Sequence, residues 1–86
     1  MTQPPPQSWY VYILRCRDGS LYTGITNDLT RRCRQHNDGT ASRCTRSRRP
    51  TRLVYQETQP GRGQALKREA AIKALSRREK LSLIAK

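Results

Sequence analysis

The pattern of apolar and polar residues changes period several times along this chain, and each change marks an element. Residues 9–16 carry aromatic and β-branched side chains with no breaker, which predicts a strand. Val11, Tyr12, Ile13 and Leu14 run without alternation, so both faces of that strand are expected to be covered and its place is central in a sheet. Asp18-Gly19 marks a tight hairpin, and residues 20–26 form the returning strand. Asn27 or Asp28 then caps a helix that runs to about Asn37, with Gly39 as its stop. Residues 40–50 read as a polar, Arg-rich loop ending at Pro50, and residues 52–57 as a third strand. Pro60-Gly61-Arg62-Gly63 breaks the chain before a helix over about 64–75. Ser76 and Glu79 have the spacing of a capping box and open a last helix to about Ile84. The order ββαβαα predicts an α+β fold, a three-stranded antiparallel sheet flanked by helices. Residues 1–7 are Pro-rich and polar, lack the basic and apolar regions of a secretory signal, and read as a disordered lead-in to a single domain over residues 8–86.

The hairpin register decides which side chains meet. A strict two-residue turn pairs Arg17 with Ser20 and places Tyr12 and Tyr22 on opposite faces of the sheet. A three-residue loop, with Gly19 left-handed as a bulge, pairs Arg17 with Leu21 and brings both tyrosines to one face. If the two act together, the hairpin is of the second kind.

Charge then narrows the class of partner. The chain has 86 residues, too few for a large core, with 34% apolar residues and no Phe. Its net charge of +12, from 18 basic and 6 acidic residues, favours a polyanion. Nucleic acid is the expected partner. The basic residues do not back a strong apolar helix face, and no run approaches the ~20 apolar residues of a membrane span, so no membrane role is expected. Cys16, Cys33 and Cys44 are odd in number and form no C-x-x-C, which argues against a disulfide framework and points to a reducing cytoplasm, near the nucleoid if DNA is the partner. Cys33 and His36, three apart on a helix, could form half of a zinc site.

The candidate chemistry lies in a few side chains. Arg32 and His36 are four apart and project from one helix face, while Arg31 and Arg34 point elsewhere and can touch phosphates. Glu69 falls between Leu66 and Ile72 at helical spacing, beside an apolar face, where a carboxylate needs a partner; Arg32 and a metal ion are the two alternatives. The six carboxylates, at 18, 28, 38, 57, 69 and 79, are scattered singly and cannot build a two-metal cluster. One divalent ion, Mg²⁺ or Mn²⁺, can be held by one carboxylate with water and phosphate oxygens. Arg43, Arg46, Arg48, Arg49 and Arg52 crowd one loop and suit phosphate contacts. No helix is left over for base readout, so structure-selective or single-strand action is expected rather than a long sequence-specific site.

On these residues the chain resembles the GIY-YIG nuclease family, in particular its small stand-alone bacterial YhbQ-like branch, and is similar to the nuclease domain of structure-specific SLX-type enzymes. The first signature appears as Tyr10-Val11-Tyr12 and the second as Tyr22-Thr23-Gly24. The family's helix arginine falls on Arg32, the residue one turn later on His36, and the metal-binding glutamate on Glu69. Tyr10 stands for the first Gly of the name and Thr23 for the second Ile; no Asn follows Asn37 to fill the family's late Asn, and Ile25 stands where some repair members have Lys. The resemblance implies a metal-dependent endonuclease that hydrolyses DNA phosphodiesters by a one-metal route in repair, recombination or processing. It implies Tyr12 or Tyr22 as proton acceptor with His36 as the other candidate, Arg32 on the phosphate and Glu69 on the ion. The alternative is a basic DNA- or RNA-binding module on the same scaffold without catalysis.

Overall fold

In a computed structural model, which describes residues 8–86, the apolar run does occupy the middle of the sheet. The lead-in read at residues 1–7 lies outside the described residues. Strands β1 (Trp9–Arg15), β2 (Leu21–Thr26) and β3 (Arg52–Gln59) form one antiparallel sheet in the order β2-β1-β3. Helices α1 (Leu29–Asp38), α2 (Arg43–Arg46), α3 (Arg62–Lys73) and α4 (Arg77–Ile84) complete the fold.

Several boundaries differ from the sequence reading: β1 and β2 are each one residue shorter at the turn, α3 ends at Lys73 rather than about 75, and three differences are larger or have a clear cause. The loop over 40–50 contains the single turn α2, capped by the Ser42 hydroxyl, which accepts from the Cys44 amide. Helix α3 begins at Arg62, because Pro60 and the extended Gly61 end the strand and Gly63 is tolerated in the first helical turn. Strand β3 runs two residues further, to Gln59, which pairs with Trp9 at the start of β1.

The hairpin register is also different. Arg15 pairs with Leu21 and Tyr12 with Gly24, so the three-residue loop is Arg17-Asp18-Gly19 and not the one that pairs Arg17 with Leu21. Cys16 donates its amide to the Ser20 carbonyl, and Gly19 takes the left-handed φ of 86° at the last loop position. The Asp18 carboxylate fixes the turn by accepting from the Ser20 amide and hydroxyl. The shift is two positions in register, so parity is unchanged and Tyr12 and Tyr22 still share a face.

The two faces of the sheet have different chemistry. Val11 and Ile13 point to one face and pack with Ala65 and Ile72 of α3, all fully buried. Leu83 and Ile84 of α4 close the rim of this core. A bulge opposite Ile13 and Leu14 leaves Val54 as an extra residue, so Val54 and its neighbour Tyr55 both reach the same core. Arg68 of α3 donates from Nε to both Glu57 oxygens of β3, at 3.0 and 2.9 Å, and holds the helix against the strand. Tyr12 points to the opposite face, where α1 supplies its partners.

Thr23 lies on the apolar face with a buried hydroxyl that has no hydrogen-bond partner among the described residues. An unpaired buried hydroxyl costs about 1–3 kcal/mol. Thr23→Val keeps the shape and removes the group, so it is expected to raise unfolding stability by about 1 kcal/mol in urea titration.

Candidate active site

Local sequence fixes the helix that faces Tyr12. The Thr26 hydroxyl accepts from the Asp28 amide at 3.0 Å, and the Asp28 carboxylate accepts from the Arg31 amide at 3.1 Å, so Asp28 is the cap that starts α1. Gly39, with φ 81°, ends the helix after Asp38. Within those limits Arg32 and His36 project together toward the sheet. Asn37 ties the helix end to β3: its Oδ1 accepts from the Thr51 amide at 2.7 Å and its Nδ2 donates to the Thr51 carbonyl at 3.2 Å.

Tyr12 pairs directly with Gly24, and its ring lies over the bare backbone there. A Cβ at position 24 would stand 2.5 Å from the Tyr12 hydroxyl and 2.7 Å from Cζ. Gly24 is therefore required for space, not for an unusual backbone angle. The buried hydroxyl of Tyr12 is 2.9 Å from His36 Nε2, and Arg32 Nε donates to it at 3.4 Å. His36 Nδ1 is 2.8 Å from the Thr45 hydroxyl, which donates to the Ser42 carbonyl at 3.3 Å. The proton directions follow from the end groups. Arg32 can only donate, so Tyr12 accepts there and gives its own proton to His36 Nε2. Thr45 spends its proton on Ser42, so His36 Nδ1–H donates to Thr45. His36 is thus a neutral imidazole with its lone pair aimed at the tyrosine.

The electrostatics agree with that assignment. Burial, with the Arg32 guanidinium second, holds the His36 pKa down to about 4. Burial pushes the Tyr12 hydroxyl up to about 12, although the Arg32 hydrogen bond opposes the rise. Tyr22 stands beside the pair, its ring 5.0 Å from that of His36 at 62° and 6.4 Å from that of Tyr12. Its hydroxyl makes no hydrogen bond, and since Thr23 holds the only buried unpaired side-chain oxygen or nitrogen among the described residues, the Tyr22 hydroxyl reaches solvent. Arg32 also donates to Gln35 at 3.2 Å and lines a polar cleft of about 190 Å³ with Thr26, Asp28 and Arg31.

The family model for the GIY-YIG catalytic domain matches residues 8–82 of this chain. The chain belongs to the GIY-YIG family. A UPF0213 protein of Staphylococcus saprophyticus is 51% identical over 75 residues, spanning 87% of this chain and 92% of the relative. A UPF0213 protein of Desulfotalea psychrophila is 53% identical over 78 residues, spanning 90% of this chain and 71% of the relative. The solution structure of the UPF0213 protein BH0048 from Bacillus halodurans superposes with a TM-score of 0.59 at 45% identity, over 91% of this chain and 83% of that one. The solution structure of EF2693 from E. faecalis gives a TM-score of 0.60 at 43% identity, over 86% and 79%. The fold and the placement in the small bacterial YhbQ-like branch of the family follow. The family is one of nucleases that act on DNA. No helix among the described residues is long and apolar enough to cross a membrane.

Of the five residues that the family pattern selects, the geometry joins Tyr12, Tyr22, Arg32 and His36. Glu69 lies apart in its contacts: on α3, part-buried, it pairs with Lys73 Nζ at 3.6 Å. It keeps a place on the stripe of Ala65 and Ile72, but Leu66 is exposed and Arg32 bonds Tyr12 instead. The donor set fits a hard divalent ion held by one carboxylate, with water and phosphate oxygens completing it. It does not fit an all-protein cage, since no three of His, Cys, Asp and Glu gather among the described residues. The exposed Lys73 forms a weak pair that an ion would displace. The zinc reading of Cys33 and His36 fails, because both His36 nitrogens are already hydrogen-bonded to Tyr12 and Thr45.

The motif residues Tyr10 and Val11 pair with Thr26 and Ile25 of β2. Arg31, Arg34, Arg43, Arg46 and Arg52 are exposed. Arg48 already pairs with Asp18 at 3.1 Å, and Arg49 is held by the carbonyls of Arg46 and Asn37. Thr45, which meets His36 Nδ1, is the member of this buried cluster that the sequence reading missed. Its only signal was Ser42, a cap that starts one turn of helix inside an arginine-rich loop.

Gly24→Ala is expected to leave the sheet folded but displace the Tyr12 ring; loss of the Tyr12 hydroxyl and His36 contacts in NMR spectra would show it. His36 also sets a pH limit. The unfolded chain binds a proton near pH 6.5 and the folded chain only near 4. Stability is therefore full above about 6.5 and falls as pH drops toward 4, by up to about 3 kcal/mol. His36 is the only histidine, so the loss between pH 6.5 and 5 should vanish in His36→Gln when urea unfolding is compared across that range.

Proposed function

We propose that this chain is a metal-dependent endonuclease that hydrolyses DNA phosphodiester bonds, acting on single-stranded or branched forms in DNA repair, recombination or processing. The observation that carries the reading is the Tyr12 hydroxyl held between the Arg32 guanidinium and a neutral imidazole lone pair. A hydroxyl so placed takes a proton on one side while releasing its own on the other.

In this reading the phosphate enters the cleft beside Arg32, and the guanidinium turns from Tyr12 to the phosphate oxygens. Its bond to Tyr12, at 3.4 Å, is long and easily given up. The turn opens the buried hydroxyl to the attacking water. Water oxygen forms the new bond to phosphorus, its proton passes to Tyr12, and the Tyr12 proton passes to His36 Nε2. The leaving oxygen departs with its electron pair and takes a proton from solvent. Burial, and after it the Arg32 cation, opposes the imidazolium, and the incoming phosphate charge offsets that opposition. Thr45 keeps Nδ1 protonated and so reserves Nε2 for this transfer. A divalent ion, Mg²⁺ or Mn²⁺, held at Glu69 would neutralise charge on the phosphate and the leaving oxygen. Tyr22, whose hydroxyl faces solvent, is placed to orient the water or the phosphate.

The lack of a spare recognition helix among the described residues supports structure-selective or single-strand action. The test is incubation of the purified protein with labelled single-stranded, duplex, flap and branched DNA, with and without Mg²⁺ or Mn²⁺. Cleavage should need the metal, fall about 10²- to 10⁴-fold in Tyr12→Phe, and disappear in Glu69→Ala while DNA binding persists. Binding without metal-dependent cleavage of any form would instead establish the non-catalytic binding module.

A further inference from the structure

A second concentration of positive charge lies away from the tyrosine cluster. Two adjoining clefts, of about 360 and 520 Å³, lie at the hairpin end of the sheet and share Arg17 and Pro50. Arg15, Arg17 and Arg52 line the first, and Arg17, Arg46 and Arg49 line the second. None of Tyr12, Tyr22, Arg32, His36 or Glu69 borders either cleft, and no carboxylate lines them.

The β-sheet itself brings the charges together. Arg15 and Arg52 are directly opposed partners across β1 and β3. Like charges directly opposite are destabilising in a ladder. The acid nearest in sequence, Asp18, is engaged with Arg48 and Ser20. Arg49 is held in place by two backbone carbonyls, so its charge is positioned without being neutralised. A cleft of this kind carries a standing repulsion that an anion relieves, and arginine forks match phosphate oxygens. Along β1, Arg15 is three residues beyond Tyr12, or about 10 Å at ~3.3 Å per residue.

We propose that this arginine-lined cleft binds the phosphodiester backbone of the nucleic acid, at a phosphate remote from the one that meets Arg32. The proposal rests on the nuclease reading for the second phosphate but not for the cleft itself. Arg15 and Arg17 are its new members. The cleft would fix the direction in which a strand leaves the catalytic face, and so the distance from a junction or end at which cutting occurs.

The experiment compares a cleft variant, Arg15→Gln/Arg17→Gln/Arg52→Gln, with a control of equal charge loss, Lys67→Gln/Arg77→Gln/Arg78→Gln. Affinity for a fluorescein-labelled single-stranded oligodeoxynucleotide is measured by anisotropy in chelator over a range of salt. Loss of three phosphate contacts lowers the slope of log K against log salt by about 2. The control should change it by much less. Equal slopes in the two variants would overturn the cleft, as would a wild-type protein that binds no DNA. Metal-dependent cleavage by the wild type is scored separately: cleavage with equal slopes defeats the cleft alone, and a lowered slope without cleavage defeats the nuclease alone. Arg52→Glu adds a check on the unoccupied state. By setting a carboxylate opposite Arg15 in place of a second guanidinium, it should raise the melting temperature while weakening DNA binding; a lowered melting temperature together with unchanged binding would count against the cleft.

Discussion

The Tyr12 ring rests on a glycine backbone, and the placement of its hydroxyl follows from that contact. Because β1 and β2 meet with Tyr12 opposite Gly24, the ring can lie down on the sheet rather than stand away from it. Lying down brings the hydroxyl to His36 Nε2 and Arg32 Nε on α1. The tautomer of His36 then depends on Thr45 in α2, and α2 depends on its cap at Ser42. A slip of one residue in the hairpin would take Gly24 from opposite Tyr12, send Tyr22 to the apolar face and break every later link. The turn at Arg17-Asp18-Gly19, locked by Asp18 and by the left-handed Gly19, therefore sets the contacts of Tyr12 several residues away.

Apolar packing and the buried polar cluster occupy opposite faces of one sheet. The face toward α3 and α4 is apolar and supplies the packing that a chain of 86 residues can ill spare. The face toward α1 buries Tyr12, His36 and Thr45, which are polar. Burying such groups is tolerable only when each is satisfied, and here each has a partner. A fully satisfied network also has one arrangement of protons, which is what a proton-transfer site requires. The single unpaired buried hydroxyl among the described residues, Thr23, lies on the other face and outside the network.

The elements were legible because they follow from local period and caps. The central place of β1 came from its unbroken apolar run, and the shared face of the two tyrosines from hairpin parity. The register itself was not legible, since two three-residue loops fit the same Asp-Gly turn and only the Asp18 contacts with Ser20 separate them. Arg32 and His36 could be set on one face by spacing. The burial of His36 could not, because it arises from Thr45, nine residues on, in a stretch with no strong pattern. Glu69 shows the same limit from the other side: its spacing located the helix stripe correctly, yet its partner is the local Lys73 rather than the distant Arg32.

The few acids explain where the positive field survives. Asp28 and Glu79 cap helices, Asp18 closes the hairpin and takes Arg48, and Glu57 clamps Arg68. Glu69 is tied to Lys73 by a loose pair. Each of these acids is thus committed to local architecture, and only three ion pairs form among the described residues against 18 basic residues in the chain. The uncompensated arginines are left on α1, on α2 and at the hairpin end of the sheet. A field distributed in that way attracts a polyanion without reading its sequence. In the proposed nuclease reading, discrimination among nucleic acids then comes from shape: from which backbones can reach the buried Tyr12 hydroxyl while their flanking phosphates lie along the arginines.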